Sequence, residues 1–454
     1  VYITNYNYEH YIEQSIRSVL SQTLQDFELI IIDDGSKDNS RAIIEKYREH
    51  PKVRIIFQQN KGLNATNNVA IQTAKGKYIM RLDADDFLEP PALGIMVSLM
   101  EADPELGLIF PDYYYVDGDN HRTGQERRHH FDDEVTLYDQ PAHGACTMIR
   151  LDFLKKLGGY DETLTCQDGY ELWLKFITFH KVTNISRPLF SYRRHNFNLT
   201  TNEGRILETR KVIKQKFVSE HFPSPDTLAV IPVRSRHFGE VNWPLWEYAG
   251  RSILEHKVEN CLEAENINHV VVVTAEDNIL AFAQSRYNGR KDITVLQRPY
   301  SFAAAQVGLA QTVELALNKV GQGMDLVATV SIDYPLVKPS TIDEAINTQV
   351  IFKSDSVLST LIDTSTYYQH NGKTLKPILD QDKYTRYERE ALFKSVGGVV
   401  VSTIDSFQRN GSMISDRIAH VALSQEEAWG IHYQFEFKAF EIMMDMRCNK
   451  TMQS

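Results

Sequence analysis

Apolar positions in this chain follow two rhythms that take turns. Ile12, Ile16, Val19 and Leu20 recur at the spacing of one helix face. The uninterrupted apolar run Leu29–Ile32 predicts a buried strand. After it the pattern predicts a helix over Ser40–Tyr47, a strand over Val53–Phe57, a helix over Ala65–Ala74 and a short strand ending at Leu82. Strands alternating with helices predict a mainly parallel sheet covered on both faces. Asp112–Gln140 interrupts the rhythm, being polar and rich in Tyr, His and Arg, and reads as a long functional excursion.

The alternation then restarts. His221-Phe222-Pro223-Ser224-Pro225-Asp226 has the composition of a linker. Beyond it, strands are expected at Leu228–Pro232, Val270–Thr274, Leu326–Ile332, Val357–Leu361 and Val396–Val401. Ile253, Leu254, Val258, Cys261 and Leu262 mark a helix face, and a last helix is expected over Phe435–Met444. The expected organisation is an α/β domain over residues 1–222, divided near 110, a linker at 223–227 and a second α/β domain over 228–454. The halves share a rhythm but no detectable repeat.

Composition narrows the classes. The chain has 454 residues, 42% hydrophobic and 24% charged, as in ordinary globular domains. A net charge of −11 argues against a non-specific nucleic-acid binder. Cys146, Cys166, Cys261 and Cys448 lack metal-type spacing, so reduced thiols and a cytoplasmic setting are expected. No apolar run approaches a membrane span and no signal peptide is visible. Val1 opens inside what reads as a strand, so a few residues are expected before it.

Asp83-Ala84-Asp85-Asp86 carries the densest chemistry, directly after the apolar run Lys77–Leu82. Carboxylates so placed cluster at a strand's C-terminal end, where open α/β sheets bind ligands. Packed together they repel unless a proton or cation neutralises them, and a divalent metal bridging phosphates does so. Taken alone, the same four residues also describe a solvated acidic turn.

Five stretches give that cluster a context: Tyr2-Ile3-Thr4-Asn5-Tyr6-Asn7, Ile30-Ile31-Ile32-Asp33-Asp34-Gly35-Ser36, Asn60-Lys61-Gly62-Leu63-Asn64-Ala65, Arg81–Asp86, and Gly158-Gly159-Tyr160-Asp161-Glu162 leading to Gln167-Asp168-Gly169-Tyr170-Glu171. Over roughly residues 1–200 their order and spacing resemble the family 2 inverting glycosyltransferases of GT-A fold. The resemblance implies a Rossmann-like nucleotide-diphospho-sugar transferase fold, with a nucleotide-sugar half (1–110) and an acceptor half (111–222). It implies that Thr4, Asn5, Asn7, Asn60, Gly62, Asp83 and either Asp33 or Asp34 hold the donor nucleotide. Asp85 and His195 would be ligands of a divalent metal, Mn or Mg, with Asp86 beside them. Asp168 would be the general base, and Arg193 and Arg194 would contact the diphosphate. Two departures stand out: Asn67 where the family often has Arg, and Gln167 where it usually has Glu. Read without the resemblance, Asp34-Gly35-Ser36 is a turn and Asp168 a helix N-cap.

The second half resembles, more distantly, the acylneuraminate and Kdo cytidylyltransferases. The likeness rests on Ile231-Pro232-Val233-Arg234, Ala249-Gly250-Arg251-Ser252-Ile253-Leu254, Arg298-Pro299 and Ser331-Ile332-Asp333-Tyr334-Pro335. It implies a nucleotidyltransferase-like α/β domain with Arg234, Arg236, Arg298 and Asp333 in its site. Phe238 and Trp243 stand where a phosphate loop needs small and cationic groups. The family's late Asp pair falls on His432 and Glu436. The expected protein is thus a metal-dependent inverting glycosyltransferase fused to a degenerate cytidylyltransferase-like domain. Its donor would be a UDP-sugar or a CMP-sugar and its acceptor a glycan, lipid-linked sugar or protein, with peripheral contact at a membrane's inner face and no nucleic-acid partner. A CMP-acidic-sugar synthetase and a non-catalytic nucleotide-sugar-binding scaffold are the alternatives left open.

Overall fold

The structure, a computed structural model, describes residues 1–126, 144–164, 168–194, 203–303, 308–363, 365, 367–378 and 392–451. The chain clusters into two compact units, Val1–Ile213 and Lys214–Ser454.

The first unit opens with β1 (Tyr2–Asn5), α1 (Ile12–Leu20), β2 (Leu29–Asp33), α2 (Ser40–Glu45), β3 (Val53–Phe57), α3 (Leu63–Thr73) and β4 (Tyr78–Asp83). These follow the sequence rhythm closely, because each buried run is bounded by polar turns. Then come β5 (Phe87–Leu88), α4 (Ala92–Ala102), β6 (Leu106–Val116), β7 (Arg122–Glu126), β8 (Met148–Arg150), α5 (Leu151–Lys156), α6 (Asp168–Phe179), β9 (Lys181–Arg193) and α7 (Glu203–His221). The sheet runs in the order β3-β2-β1-β4-β8-β6-β9-β5, with β7 on β6. The first four strands are parallel, and β8 joins antiparallel to β4 and β6. Ile3, Ile31 and Leu82 are fully buried in neighbouring strands and anchor this core. Each contributes about 1.5–3 kcal/mol by burial.

Residues 112–126 depart from the expected excursion. β6 continues through Asp112 to Val116 and pairs with β7 and β9. Its tyrosines are strand formers with somewhere to go: Tyr113 packs 4.9 Å from Phe190 and 5.9 Å from Tyr192. The rest of the expected excursion, 127–140, lies outside the described residues.

The division between units falls inside α7, ahead of the 223–227 stretch read as a linker. Lys214 explains this. Its ammonium is buried and donates to Glu344 (3.4 Å) and Thr348 (3.1 Å), both in the second unit.

The second unit holds β10 (Thr227–Val233), the hairpin β11 (His237–Phe238) and β12 (Val241–Asn242), the hairpin β13 (Glu247–Tyr248) and β14 (Arg251–Ser252), α8 (Ile253–Glu263), β15 (His269–Thr274), α9 (Asp277–Arg286), β16 (Ile293–Gln297), α10 (Ala310–Val320) and β17 (Leu326–Val330). It continues with α11 (Pro339–Phe352), β18 (Ser356–Asp363), β19 (Tyr368–His370), β20 (Leu375–Pro377), β21 (Leu392–Thr403), α12 (Ile404–Asn410), β22 (Ile418–Ala422) and α13 (Gln434–Thr451). The main sheet has the order β16-β15-β10-β17-β21-β18-β22, its first four strands parallel and β21 antiparallel.

α8 begins with a capping box, Ser252 and Glu255 each bonding the other's backbone N–H. One turn in, Lys257 is buried with its ammonium donating to the Tyr334 carbonyl at 2.8 Å. Burial lowers its pKa to about 8 from 10.5. A depressed lysine means the folded state holds fewer protons between those two values. Stability therefore rises with pH across that window and is lost as pH falls through about 8. That shift corresponds to about 3 kcal/mol, of which about 1 offsets the hydrogen bond lost on substitution. Lys257→Met is expected to stabilise the second unit by about 2 kcal/mol at neutral pH, with the gain shrinking as pH rises from about 8 toward 10.5. Urea midpoints across pH check this; a pH-independent difference contradicts it.

Candidate active site

β1 lies between β2 and β4, so the chain direction of the crossovers reverses beside it and leaves a crevice at the strands' carboxyl ends. The register puts Thr4 opposite Asp83 and Asn5 opposite Asp33. Thr4 Oγ1 donates to Asp83 Oδ1 at 3.4 Å. Asn5 Nδ2 donates to Asp33 Oδ1 at 2.9 Å and to Ser36 Oγ at 3.0 Å. Asn7 takes a left-handed φ of +63°, gives its N–H to Ser36 Oγ, and accepts the Lys37 N–H. Asn5 and Asn7 are thus joined through Ser36, while Thr4 pairs separately with Asp83.

The two candidate aspartates after β2 have different work. Asp33 is fully buried and accepts from Arg41 Nε at 2.8 Å as well as from Asn5. Asp34 accepts from Gln58 Nε2 (2.7 Å) and from the backbone N–H groups of Lys61 (2.9 Å) and Gly62 (3.0 Å). Asp34 thus folds the 60–62 loop back over the crevice. Gly35 makes that approach feasible: its φ is +84°, and a Cβ there would lie 2.7 Å from the Asn60 nitrogen. Asn60 and Gly62 stay exposed at the same edge.

The acidic cluster follows immediately on β4. Asp83 pairs with Arg81 Nε at 2.9 Å. Asp85 and Asp86 are buried, at 8% and 1% exposure. Asp86 Oδ1 accepts the Arg193 N–H at 2.9 Å, while its Oδ2 has no hydrogen-bond partner. Burial, then the charges of Asp85 and Asp83, hold the Asp86 carboxyl well above the usual range. Burial and the same three aspartates raise the Tyr8 phenol, and burial with Asp86 raises the Cys146 thiol. Carboxyl groups are crowded here, and their mutual repulsion favours a proton or a cation among them. Hard carboxylate oxygens, one of them orphaned, suit a divalent cation.

Arg193 corrects a sequence expectation. It is 1% exposed, and its Nε donates to the Asp85 carbonyl at 2.9 Å. Nη1 donates to the carbonyls of Asp117 and Gly118, and Nη2 to Gln14 and Asn120. All five N–H groups are engaged, so the side chain clamps the cluster's backbone and has none left for a diphosphate. Arg193→Met is expected to destabilise the first unit by about 3 kcal/mol, since it strands the buried Asp85 carbonyl and removes the clamp on part-buried acceptors of Gln14, Asp117 and Asn120. Urea unfolding checks this; a fully stable variant with only weaker nucleotide binding would restore the diphosphate role. Arg194 is partly exposed, its guanidinium 3.8 Å from the Tyr115 ring centroid.

Asp168 is the first residue of α6. The segment ahead of it is fastened to α3: Asn64 Nδ2 donates to the carbonyls of Asp161 and Leu164, and Asn68 bonds both the N–H and the carbonyl of Tyr160. Gly159, at φ +73°, leaves room for this, since a Cβ would lie 2.7 Å from Asn68 Oδ1. His195 lies outside the described residues. Among the described residues, Asp117, Asp119 and His121 place ligand atoms within 4.8 Å of one another. They form the exposed β6–β7 turn, where Asp117 Oδ1 caps two backbone N–H groups, which accounts for the grouping.

In the second unit, Arg234 and Arg298 follow β10 and β16 at the sheet's carboxyl edge. Arg298 is buried, bonds Thr312 Oγ1 at 2.8 Å, and leaves Nε unpartnered. Arg236 pairs with Asp333 at 2.9 Å and bonds the Ile431 carbonyl and His432 Nδ1. Glu436 is spent on the N–H groups of His432 and Tyr433 at the start of α13. Phe238 and Trp243 turn inward against Phe437, and Trp243 also meets Phe440.

Comparison with known proteins places both units. A family profile described as glycosyl transferase family 2 matches residues 1–158. An uncharacterized glycosyltransferase of Methanocaldococcus jannaschii is 31% identical over 203 residues, 41% of this chain and 67% of that protein. The chain belongs to glycosyltransferase family 2. A second profile, the MobA-like NTP transferase domain, matches residues 234–359 of this family 2 member. The chondroitin synthase of Escherichia coli is 28% identical over 221 residues, 48% of this chain and 32% of that protein. The chain thus spans about a third of that relative's length. The crystal structure of S. aureus TarS 1-349 aligns over 48% of this chain and 64% of that one, at TM-score 0.40 and 19% identity. The chain thus carries a glycosyltransferase family 2 domain followed by a MobA-like NTP transferase domain. Among its described residues no helix is long and apolar enough to cross a membrane.

Sequence reading passed over Arg41, Gln58 and Tyr8, and placed Asp86 only beside the metal. An Arg eight residues after an Asp carries no signal by itself; only the fold makes Arg41 the partner of Asp33.

Proposed function

We propose that the first unit transfers a sugar, with inversion, from a nucleotide-sugar donor to an acceptor hydroxyl in a divalent-metal-dependent reaction. The observation that carries this is the Asp83–Asp85–Asp86 cluster at the mouth of the crevice, Asp85 and Asp86 buried and one Asp86 oxygen orphaned. Asp85 would hold the cation, with Asp86 beside it; His195 is the further ligand suggested by family resemblance. When bound, a divalent cation neutralises the charge that develops on the departing diphosphate. Asp83, with Asp33 or Asp34, would hold the ribose and base through carboxylate acceptors. Thr4, Asn5, Asn7, Asn60 and Gly62 would shape the donor's seat.

Asp168 would take the proton from the acceptor hydroxyl. Attack then comes from the face opposite the leaving nucleotide, which inverts the anomeric centre in one displacement. Arg194 remains the candidate diphosphate contact of the Arg193–Arg194 pair.

UDP-sugars are the favoured donors, with CMP-sugars second, and a growing glycan is the favoured acceptor. The name of the chondroitin synthase relative is what supports a polysaccharide product. Mn²⁺ and Mg²⁺ are the metals expected at a site dominated by carboxylate oxygens. Buried free thiols at Cys146 and Cys261 fit a reducing cytoplasm, with peripheral work at a membrane when the acceptor is lipid-borne. A panel of UDP- and CMP-sugars with Mn²⁺ or Mg²⁺, scored for nucleotide release, tests this reading. No release from any donor would oppose it.

For the second unit we infer binding of an acidic ligand without nucleotidyl transfer. Arg236 takes the place on Asp333 that a metal would need, and the aromatic loop leaves no small-residue cradle for a triphosphate. Arg234 and the unpartnered Arg298 Nε remain for a smaller anion. Pyrophosphate release from CTP with an acidic sugar, at about 1 s⁻¹, would overturn this and make the chain bifunctional.

A further inference from the structure

α13 carries two apolar faces. Phe437, Phe440 and Met444 are buried within the second unit. On the other side Phe435 (71% exposed), Ala439, Ile442 (61%) and Met446 (59%) face solvent. Their spacing of four, three and four residues is that of a coiled-coil seam. At about 100° per residue, the four fall in one narrow stripe roughly opposite the buried face. Lys438 and Asp445 lie together along one edge of the stripe, and Glu436 and Met443 along the other.

We propose that a second copy of this chain docks on the stripe, the two α13 helices pairing antiparallel about a twofold axis. A twofold interface requires the patch to complement itself, and this one does. In the antiparallel pairing Phe435 stacks over the partner's Met446, and Ala439 meets the partner's Ile442. Like edges then meet, so Lys438 reaches the partner's Asp445, and symmetry repeats the contact. A parallel pairing sets Lys438 against the partner's Met443 instead, so the Lys438–Asp445 contact belongs to the antiparallel arrangement. The other edge has no like-charge conflict, since Glu436 is already committed to the helix N-terminus. Lys438 now pairs with Glu441 of its own helix at 2.8 Å. That exposed contact is weak enough to exchange.

Three helical turns bury less than the roughly 1,200 Å² of a standard interface. The dimer is therefore a weak one, with a dissociation constant on the order of 10 µM. Sedimentation velocity on the full chain across about 1–200 µM tests it. A concentration-dependent monomer–dimer equilibrium is expected. Ile442→Glu should leave a folded monomer whose donor turnover is unchanged. Lys438→Asp should weaken association at least tenfold, and the double variant K438D/D445K should restore it. A monomer at every concentration, or a dimer indifferent to Lys438→Asp, overturns the proposal.

Discussion

Replacing Asp85 with Ala is expected to reduce sugar transfer by at least about 10²-fold, on the order of 3 kcal/mol of stabilisation of the leaving group. The fold should survive. The contact that fixes this turn is the Asp85 carbonyl on Arg193, which the substitution keeps. Removing one of three crowded carboxylates also relieves Asp86, whose pKa the Asp85 charge raises. The loss should therefore be catalytic, with circular dichroism and the thermal transition little changed. EDTA should reproduce the loss in the wild type, and added Mn²⁺ should rescue only the wild type. Full turnover in EDTA, or in Asp85→Ala, would remove the metal assignment.

Asp168→Asn is expected to cost about 10²–10⁴-fold in transfer while leaving donor affinity in place. The amide is nearly isosteric but cannot accept the acceptor's proton. The position at the start of α6 should persist, because Asn64 and Asn68 pin the segment upstream of it. Single-turnover transfer together with donor titration separates the two effects. If affinity and rate fall together, Asp168 is a helix cap and the base lies elsewhere.

The parallel half of the first sheet was legible because its strands are uninterrupted apolar runs, such as Leu29–Ile32, closed by turn residues. The crevice was legible too, since each parallel strand delivers its last polar residue to one edge. Thr4, Asn5, Asp33 and Asp83 needed only that rule to be brought together. Strand β6 was not. Its Tyr113 and Tyr115 look polar in a one-dimensional pattern and are buried only because Phe190 and Tyr192 meet them in space. Arg193 misled for the same reason. Charge beside a nucleotide-site motif suggests a phosphate contact, whereas its five partners come from segments between residues 14 and 120 that no local reading could assemble. Phe238 and Trp243 were read as misfits in a phosphate loop, and the aromatic core they join with α13 gives the physical reason for their presence.

Binding of UDP in the presence and absence of Mn²⁺ tests most directly whether Asp83, Asp85 and Asp86 form a cation-dependent nucleotide site. Calorimetric titration needs neither the sugar nor the acceptor. Mn²⁺ is expected to tighten UDP binding at least about tenfold, equivalent to roughly 1.4 kcal/mol, and Asp85→Ala should erase that gain. Equal affinity with and without the metal in the wild type would contradict it.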